Sequence, residues 1–342
     1  MATFYQTEPE EHYESSRFVY SIEKESVHAA KKFKAVLTSY SLFHFSFLFI
    51  LALQTLLTTL LLFRPTSIFF AISLGAFFLS FFSYIILIYY FQGKKPEQFS
   101  EIKKSFVQSC KKHIPIDLDD EEYHLSLASS ICQLASLISH AEIFALSLPP
   151  FHFVEEVSLK ISYRLNWKDA MFMQEKIIHQ AIHEHIELIK LKPTNLAAHT
   201  SLANAYIVLS KIYAPPQNLF FKKSRWIGRL FDNSYIKERS LFAIKRAIEE
   251  LKIIDDLAPN DPWVHAQLAS CYSQLDLKEE ELREYEVLSH LRPQDKEILL
   301  RLGLLYFHLG KNAKGLTIYE SLRHIDAKDA QYLISQYNSM YL

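Results

Sequence analysis

The chain has 342 residues, a net charge of −1, six glycines, three cysteines and 49% apolar residues. That length holds more than one domain, the balanced charge excludes a global field drawing the molecule onto nucleic acid, and so few glycines leave little for phosphate loops or strand turns. Leu, Ile, Phe, Lys and Glu abound, which favours helices joined by short turns.

Residues 1–39 are read as an acidic tail, with Glu8, Glu10, Glu11 and Glu14 around Pro9, followed by a juxtamembrane helix over Ser21–Thr38. The start does not look like a signal peptide, which begins basic and reaches its apolar run sooner, so none is expected. Residues 40–92 hold two apolar runs, Leu42–Phe63 and Ser67–Phe91, separated by Arg64, Pro65 and Thr66. Each run exceeds the roughly 20 helical residues that cross a bilayer, so a hairpin of two transmembrane helices is expected. Lys31, Lys32 and Lys34 precede it, Lys94 and Lys95 follow it, and only Arg64 lies in the opposite loop. The positive-inside rule therefore puts both ends in the cytoplasm. His44 and Gln54 are polar exceptions in the first span; without an acid they make no proton pathway, and they read as helix-to-helix hydrogen bonding or as a His near the interface.

Residues 93–165 are expected to be a helical connector. It comprises a short lysine-rich helix from Pro96 to His113, a turn, and a helix from Glu121 to about Leu146 that ends before Pro149 and Pro150. A long helix is expected from Trp167 to Leu191. On it His179 and His183 stand four apart, a spacing that suits a zinc pair, but no third ligand is fixed and the HExxH order is missing. Cys110, Cys132 and Cys271 form no CxxC and read as buried thiols of a reducing compartment.

From Pro259 the sequence repeats in steps of 34: Pro259, Pro293, Ala327. The first copy has Leu268-Ala269, Tyr272, Tyr285 and Leu288; the second has Leu302-Gly303, Tyr306, Tyr319 and Leu322. Upstream, Leu202-Ala203 and Tyr206 mark another first helix, whose partner (Ala247, Leu251, Pro259) arrives about 32 residues late. An insertion is therefore read over 213–239. Its stretch Leu219–Phe231 sets Lys222, Arg225 and Arg229 against Leu219, Phe220, Trp226, Ile227, Leu230 and Phe231, and packing onto the repeats competes there with binding at a membrane interface. Glu281 stands where a small residue is expected, so its helix is expected to be shifted or partly exposed. Gly310 is expected to end a helix in a left-handed turn, and Ala330–Tyr341 to cap the stack.

These residues resemble the tetratricopeptide repeat (TPR), whose period is 34 residues. The resemblance spans 166–342 and implies an all-α architecture, a two-helix hairpin plus an α-solenoid of helix pairs, in a protein that binds a protein or peptide and is no enzyme. By register, the face such proteins use offers Thr200, Asn204, Ile207, Gln267, Ser270, Gln274, Arg301, Leu304 and His308. Asn204 and Arg301 match positions of a carboxylate clamp, whereas Thr200, Glu297 and Gln267 depart from it. The hairpin resembles that of chlamydial inclusion membrane proteins, and the whole chain resembles an uncharacterised chlamydial membrane-bound TPR family. The expectation is a membrane-anchored scaffold in a bacterial inner membrane. The alternatives are an inclusion-membrane protein that recruits host factors, or a membrane enzyme or metal protein at His179 and His183. The lipid bilayer is an expected partner, and neither a cofactor nor nucleic acid is expected.

Overall fold

The computed structural model describes residues 10–63, 67–114, 120–139, 141–145, 152–215 and 229–341, and every element among them is a helix. The chain divides into two compact units, Met1–Glu184 and His185–Leu342, with the division inside one long helix.

The first unit is built on α1 (Glu10–Leu62) and α2 (Ser67–His113), which pair along their length. Each runs unbroken where the sequence suggests two helices. Pro96 lies inside α2 rather than opening a new helix. Losing one backbone bond there is outweighed by packing on both sides: Phe33 meets Phe99 edge-on at 5.2 Å, and Lys95 Nζ lies 2.7 Å from Asp169 Oδ2. One end of the pair joins α3 (Asp120–Ile138), α4 (Ala141–Phe144) and α5 (His152–Leu191). Its core follows helical spacing: Ile22, Ala29, Phe33 and Leu37 on α1, Phe99, Ile102, Phe106 and Cys110 on α2, Leu127, Ile131, Leu134 and Ile138 on α3, and Tyr163, Trp167, Ala170, Met173 and Ile177 on α5. The single helix expected over 121–146 is instead two, broken by a turn in which Ser139 N–H bonds to Ser136 O. Hydroxyls from neighbouring helices hold α4: Ser162 Oγ donates to Glu142 O and Thr38 Oγ1 to Ala145 O, both at 2.7 Å.

The other end of the pair is apolar outside and polar within. Leu48, Phe49, Leu53, Leu56, Leu60, Ile72, Leu79 and Phe82 are exposed. Across the seam His44 Nδ1 and Tyr84 Oη lie 3.0 Å apart, Gln54 Nε2 donates to Ser80 Oγ at 2.9 Å, and Thr58 and Ser73 share a hydrogen bond of 2.8 Å. Both helices are long and apolar enough to cross a membrane, and the most apolar windows are 0% and 6% buried. The expected hydrogen bonding of His44 and Gln54 between helices is present.

Among the described residues the second unit holds the end of α5 and α6 (Leu196–Ile212), α7 (Ser234–Leu257), α8 (Pro262–Gln274), α9 (Lys278–Leu291), α10 (Lys296–His308), α11 (Asn312–Ile325) and α12 (Ala327–Tyr341). They form antiparallel pairs α6/α7, α8/α9 and α10/α11, each packed on the next, with α12 closing the third pair. The repeated Leu-Ala/Gly-Tyr positions face inward: Leu202, Ala203, Tyr206, Leu268, Ala269, Tyr272, Leu302, Gly303 and Tyr306 are buried. A Cβ on Gly303 would sit 2.6 Å from Leu333 of α12, so the small residue admits the cap. All three cysteines are free thiols, with Cys110 and Cys271 buried and Cys132 half-buried.

Candidate partner-binding face

The same local code starts each first helix. Asn195, Asp261 and Asp295 follow Pro193, Pro259 and Pro293 by two residues, and their side chains accept from Ala198 N, Trp263 N and Glu297 N at 3.0, 2.8 and 3.0 Å. An N-cap of this kind fixes where a helix begins. It thereby sets which residues of α6, α8 and α10 turn away from the paired helix.

On that outward side Asn204, Ser270, Gln274 and His308 are exposed, and Thr200, Gln267 and Leu304 are half-buried. Ile207 is 5% exposed, so it supports the face from beneath rather than lining it. Thr200 Oγ1 donates to Leu196 O at 2.8 Å, Gln274 Nε2 to Ser270 O at 3.3 Å, and His308 Nδ1 to Leu304 O at 2.8 Å. The amide and hydroxyl groups bond within their own helices and still present polar atoms outward.

Arg301 has structural work to do. Its Nε and Nη2 donate to Glu281 Oε1 at 2.8 and 2.6 Å, and Nη2 also donates to Ser273 Oγ at 2.9 Å. Glu281 is only 2% exposed. The expectation that its helix is shifted or partly exposed is therefore corrected: α9 stays in register, and Arg301 from the next pair neutralises the carboxylate. Spacing in the sequence does not reveal this bond, because the two residues lie 20 apart on different helices.

Register explains why Glu281 is tolerated. One period on, Ser273 becomes Phe307 and Glu281 becomes Gly315. A Cβ on Gly315 would lie 2.4 Å from Phe307 Cε1. The large ring demands the glycine, and the small serine leaves room for the glutamate. The turns follow the same register: Gly310 has φ +70°, and Asp276, one period earlier, has φ 56°. The left-handed turn expected at Gly310 is present. Asp is among the few L-residues that enter that region readily. Beside these turns Tyr306 Oη donates to Glu286 Oε1 at 2.7 Å, and this bond, with Lys314 nearby, holds the Glu286 carboxyl below the usual range.

Of the residues read as a membrane interface, Lys222, Arg225 and Trp226 lie outside the described residues. Arg229 is exposed and Phe231 is buried. His179 Nε2 lies 3.7 Å from Glu175 Oε1, and its half-exposed ring is pushed below its ordinary pKa by burial. Among the described residues no group of three His, Cys, Asp or Glu side chains converges to hold a metal ion. The alternative of a metal protein at His179 and His183 gains no ligand set from them.

Sequence reasoning missed His199 and His265. His199 Nδ1 lies 2.7 Å from Glu250 Oε2 and its Nε2 2.9 Å from Pro193 O. His265 Nδ1 lies 2.7 Å from Glu284 Oε2 and its Nε2 3.0 Å from Pro259 O. The available signal was a proline followed six residues later by a buried histidine, met twice.

No protein-family model matches the chain, and no curated protein matches it. Among solved structures it is similar to a thermophilic TPR protein of Thermus thermophilus, at 18% identity over 65% of this chain and 100% of that one, with a TM-score of 0.31. It is also similar to MamA of Desulfovibrio magneticus, at 11% identity over 67% and 96% of the two chains and a TM-score of 0.31. A third is YrrB, described as a TPR protein with an unusual peptide-binding site, at 13% identity over 54% and 98% with a TM-score of 0.26. The helical-repeat architecture rests on this chain's own pairs, caps and 34-residue register.

Proposed function

We propose that this protein is a membrane-anchored scaffold that holds a partner protein or peptide on the outward face of α6, α8 and α10. One observation carries the reading: a single chain joins a helix pair that is apolar outside and polar within to a stack of pairs that is apolar within and polar outside. Inverted polarity of this kind is the signature of inverted solvents, lipid for one part and water for the other. Among the residues named for this face the cation, Arg301, is engaged by the buried Glu281. The chemistry of the face therefore suits an uncharged peptide segment better than a terminal carboxylate, with hydrogen bonds from Asn204, Ser270 and Gln274 and an apolar floor at Leu304.

The lysines at residues 31–34 and 94–95 support a topology with both ends of the hairpin on the cytoplasmic side. We assign the hairpin to the bacterial inner membrane. A photo-crosslinking residue at Ser270 in the native membrane tests the scaffold. The expected result is a discrete adduct absent when the probe replaces Glu249 on α7. Equal adducts from both positions, or extraction of the protein by alkaline wash without detergent, would overturn the reading. A tagged C-terminus found outside the bacterium would favour the inclusion-membrane alternative.

A further inference from the structure

We propose that the second helix pair carries a proton-operated clamp, His265 with Glu284, that closes when protonated and loosens as pH rises; the first pair repeats its geometry at His199 and Glu250, and the third pair has neither residue. The argument begins with donors and acceptors. Each ring is flanked by a carboxylate and a backbone carbonyl. A carbonyl and a carboxylate only accept, and a neutral imidazole has one N–H. Both bonds therefore exist only when the unit holds one proton more than a neutral ring beside a carboxylate. On losing it, one nitrogen lone pair faces an oxygen lone pair in a site where the rings' side chains are 5% and 7% exposed.

The clamp joins three pieces of backbone. The carbonyl belongs to the turn before the first helix of the pair, the ring to that first helix, and the carboxylate to the second helix. Losing a bond there frees the turn from the pair it enters. Charged groups surround both rings. Glu250 of α7 faces His199, with Glu249 and Arg246 beside the neighbouring Tyr206. Glu284 of α9 faces His265, and Asp255 of α7 lies 3.6 Å from its Nε2, with an Oδ1 that is buried and has no hydrogen-bond partner. Glu280 and Arg283 of α9 lie near Tyr272, about two helix turns further along α8. Burial alone pushes the His265 ring down, but the bond to Pro259 O, the bond to Glu284 and the charges of Glu284 and Asp255 outweigh it and hold the ring above its ordinary value. A group raised in this way contributes all its stability below the unfolded value and loses it as pH climbs through the folded one.

The third pair supplies the control. One period after His265 and Glu284 stand Leu299 and Ile318, which pack in one apolar cluster. Both partners change together, and the titratable unit vanishes.

Hydrogen–deuterium exchange of the full chain in detergent, corrected for intrinsic rates, tests this between pH 5.5 and 8.5. Protection in α8 and α9 is expected to fall about tenfold or more with rising pH, the loss expected for one charge-assisted hydrogen bond, while α10 and α11 hold. The double variant His265→Leu with Glu284→Ile should remove the pH dependence from α8 and α9. Exchange at the ring C2 position of His265, read by mass spectrometry on the unmodified chain, should give a midpoint above that of a free histidine. Flat protection in α8 and α9, a pH dependence that survives in the double variant, or a His265 midpoint at or below the free value would overturn the proposal.

Discussion

The second and third helix pairs share one backbone plan and fill it with opposite chemistry. At four register positions the second pair carries His265, Ser273, Glu281 and Glu284, and the third carries Leu299, Phe307, Gly315 and Ile318. The second pair is held by charge-assisted bonds, and the third by a core in which Leu299, Phe307 and Leu322 are at most 4% exposed. Substitution in such a stack therefore occurs by partners rather than by positions. The 34-residue spacing accepts a polar or an apolar solution, but not half of each, because an unpaired buried carboxylate and an overfilled core are both costly.

The sharpest way to break the comparison is Arg301→Ala. It leaves Glu281 as an uncompensated buried charge, so a loss of about 3–5 kcal/mol is expected, measured by denaturant unfolding of the full chain in detergent. Gly315→Ala attacks the apolar solution instead. Its Cβ enters the Phe307 ring, and overpacking of this kind costs roughly 1–3 kcal/mol, with α10 and α11 losing amide protection first. A double-mutant cycle sharpens the point: Ser273→Phe alone drives a ring against Glu281, whereas Ser273→Phe with Glu281→Gly recreates the third pair. The expected result is a double variant more stable than the sum of the two single changes, by more than the ~0.5 kcal/mol error of additivity. The smallest effects lie at the turns. Gly310→Ala places a Cβ in the left-handed region at a cost of about 1 kcal/mol. Asp276→Gly at the matching turn relieves that cost and is expected to raise the melting temperature slightly.

The pairs themselves were legible because burial repeats with the helix period and proline and the N-caps punctuate it. Leu268, Tyr272, Leu302 and Tyr306 needed no structure to be placed inward. That two long apolar helices stand here was legible from run length, and hydrogen bonding between them was one of the readings open for His44 and Gln54, but the partners Tyr84 and Ser80 were not legible. Pairing across a hairpin depends on the turn, and no local pattern states which residues end up level. Glu281 was misjudged because its partner lies 20 residues on, in the next pair. The histidines were overlooked because a lone buried His carries no period, and only comparison of one repeat with another exposes it. The break between α3 and α4 was invisible because hydroxyls from α1 and α5, remote in sequence, hold the shorter helix in place.

The unbroken course of α1 has a mechanical consequence. Its 53 residues form a rod about 80 Å long at 1.5 Å per residue, with no glycine or proline to act as a hinge. A tilt imposed on its apolar half cannot be absorbed midway and must appear at the other half, where Phe33 and Leu37 are fully buried. In the bilayer setting proposed above, a change in membrane thickness would then act on that buried core as a crowbar acts on a lid, with leverage set by the length of the helix.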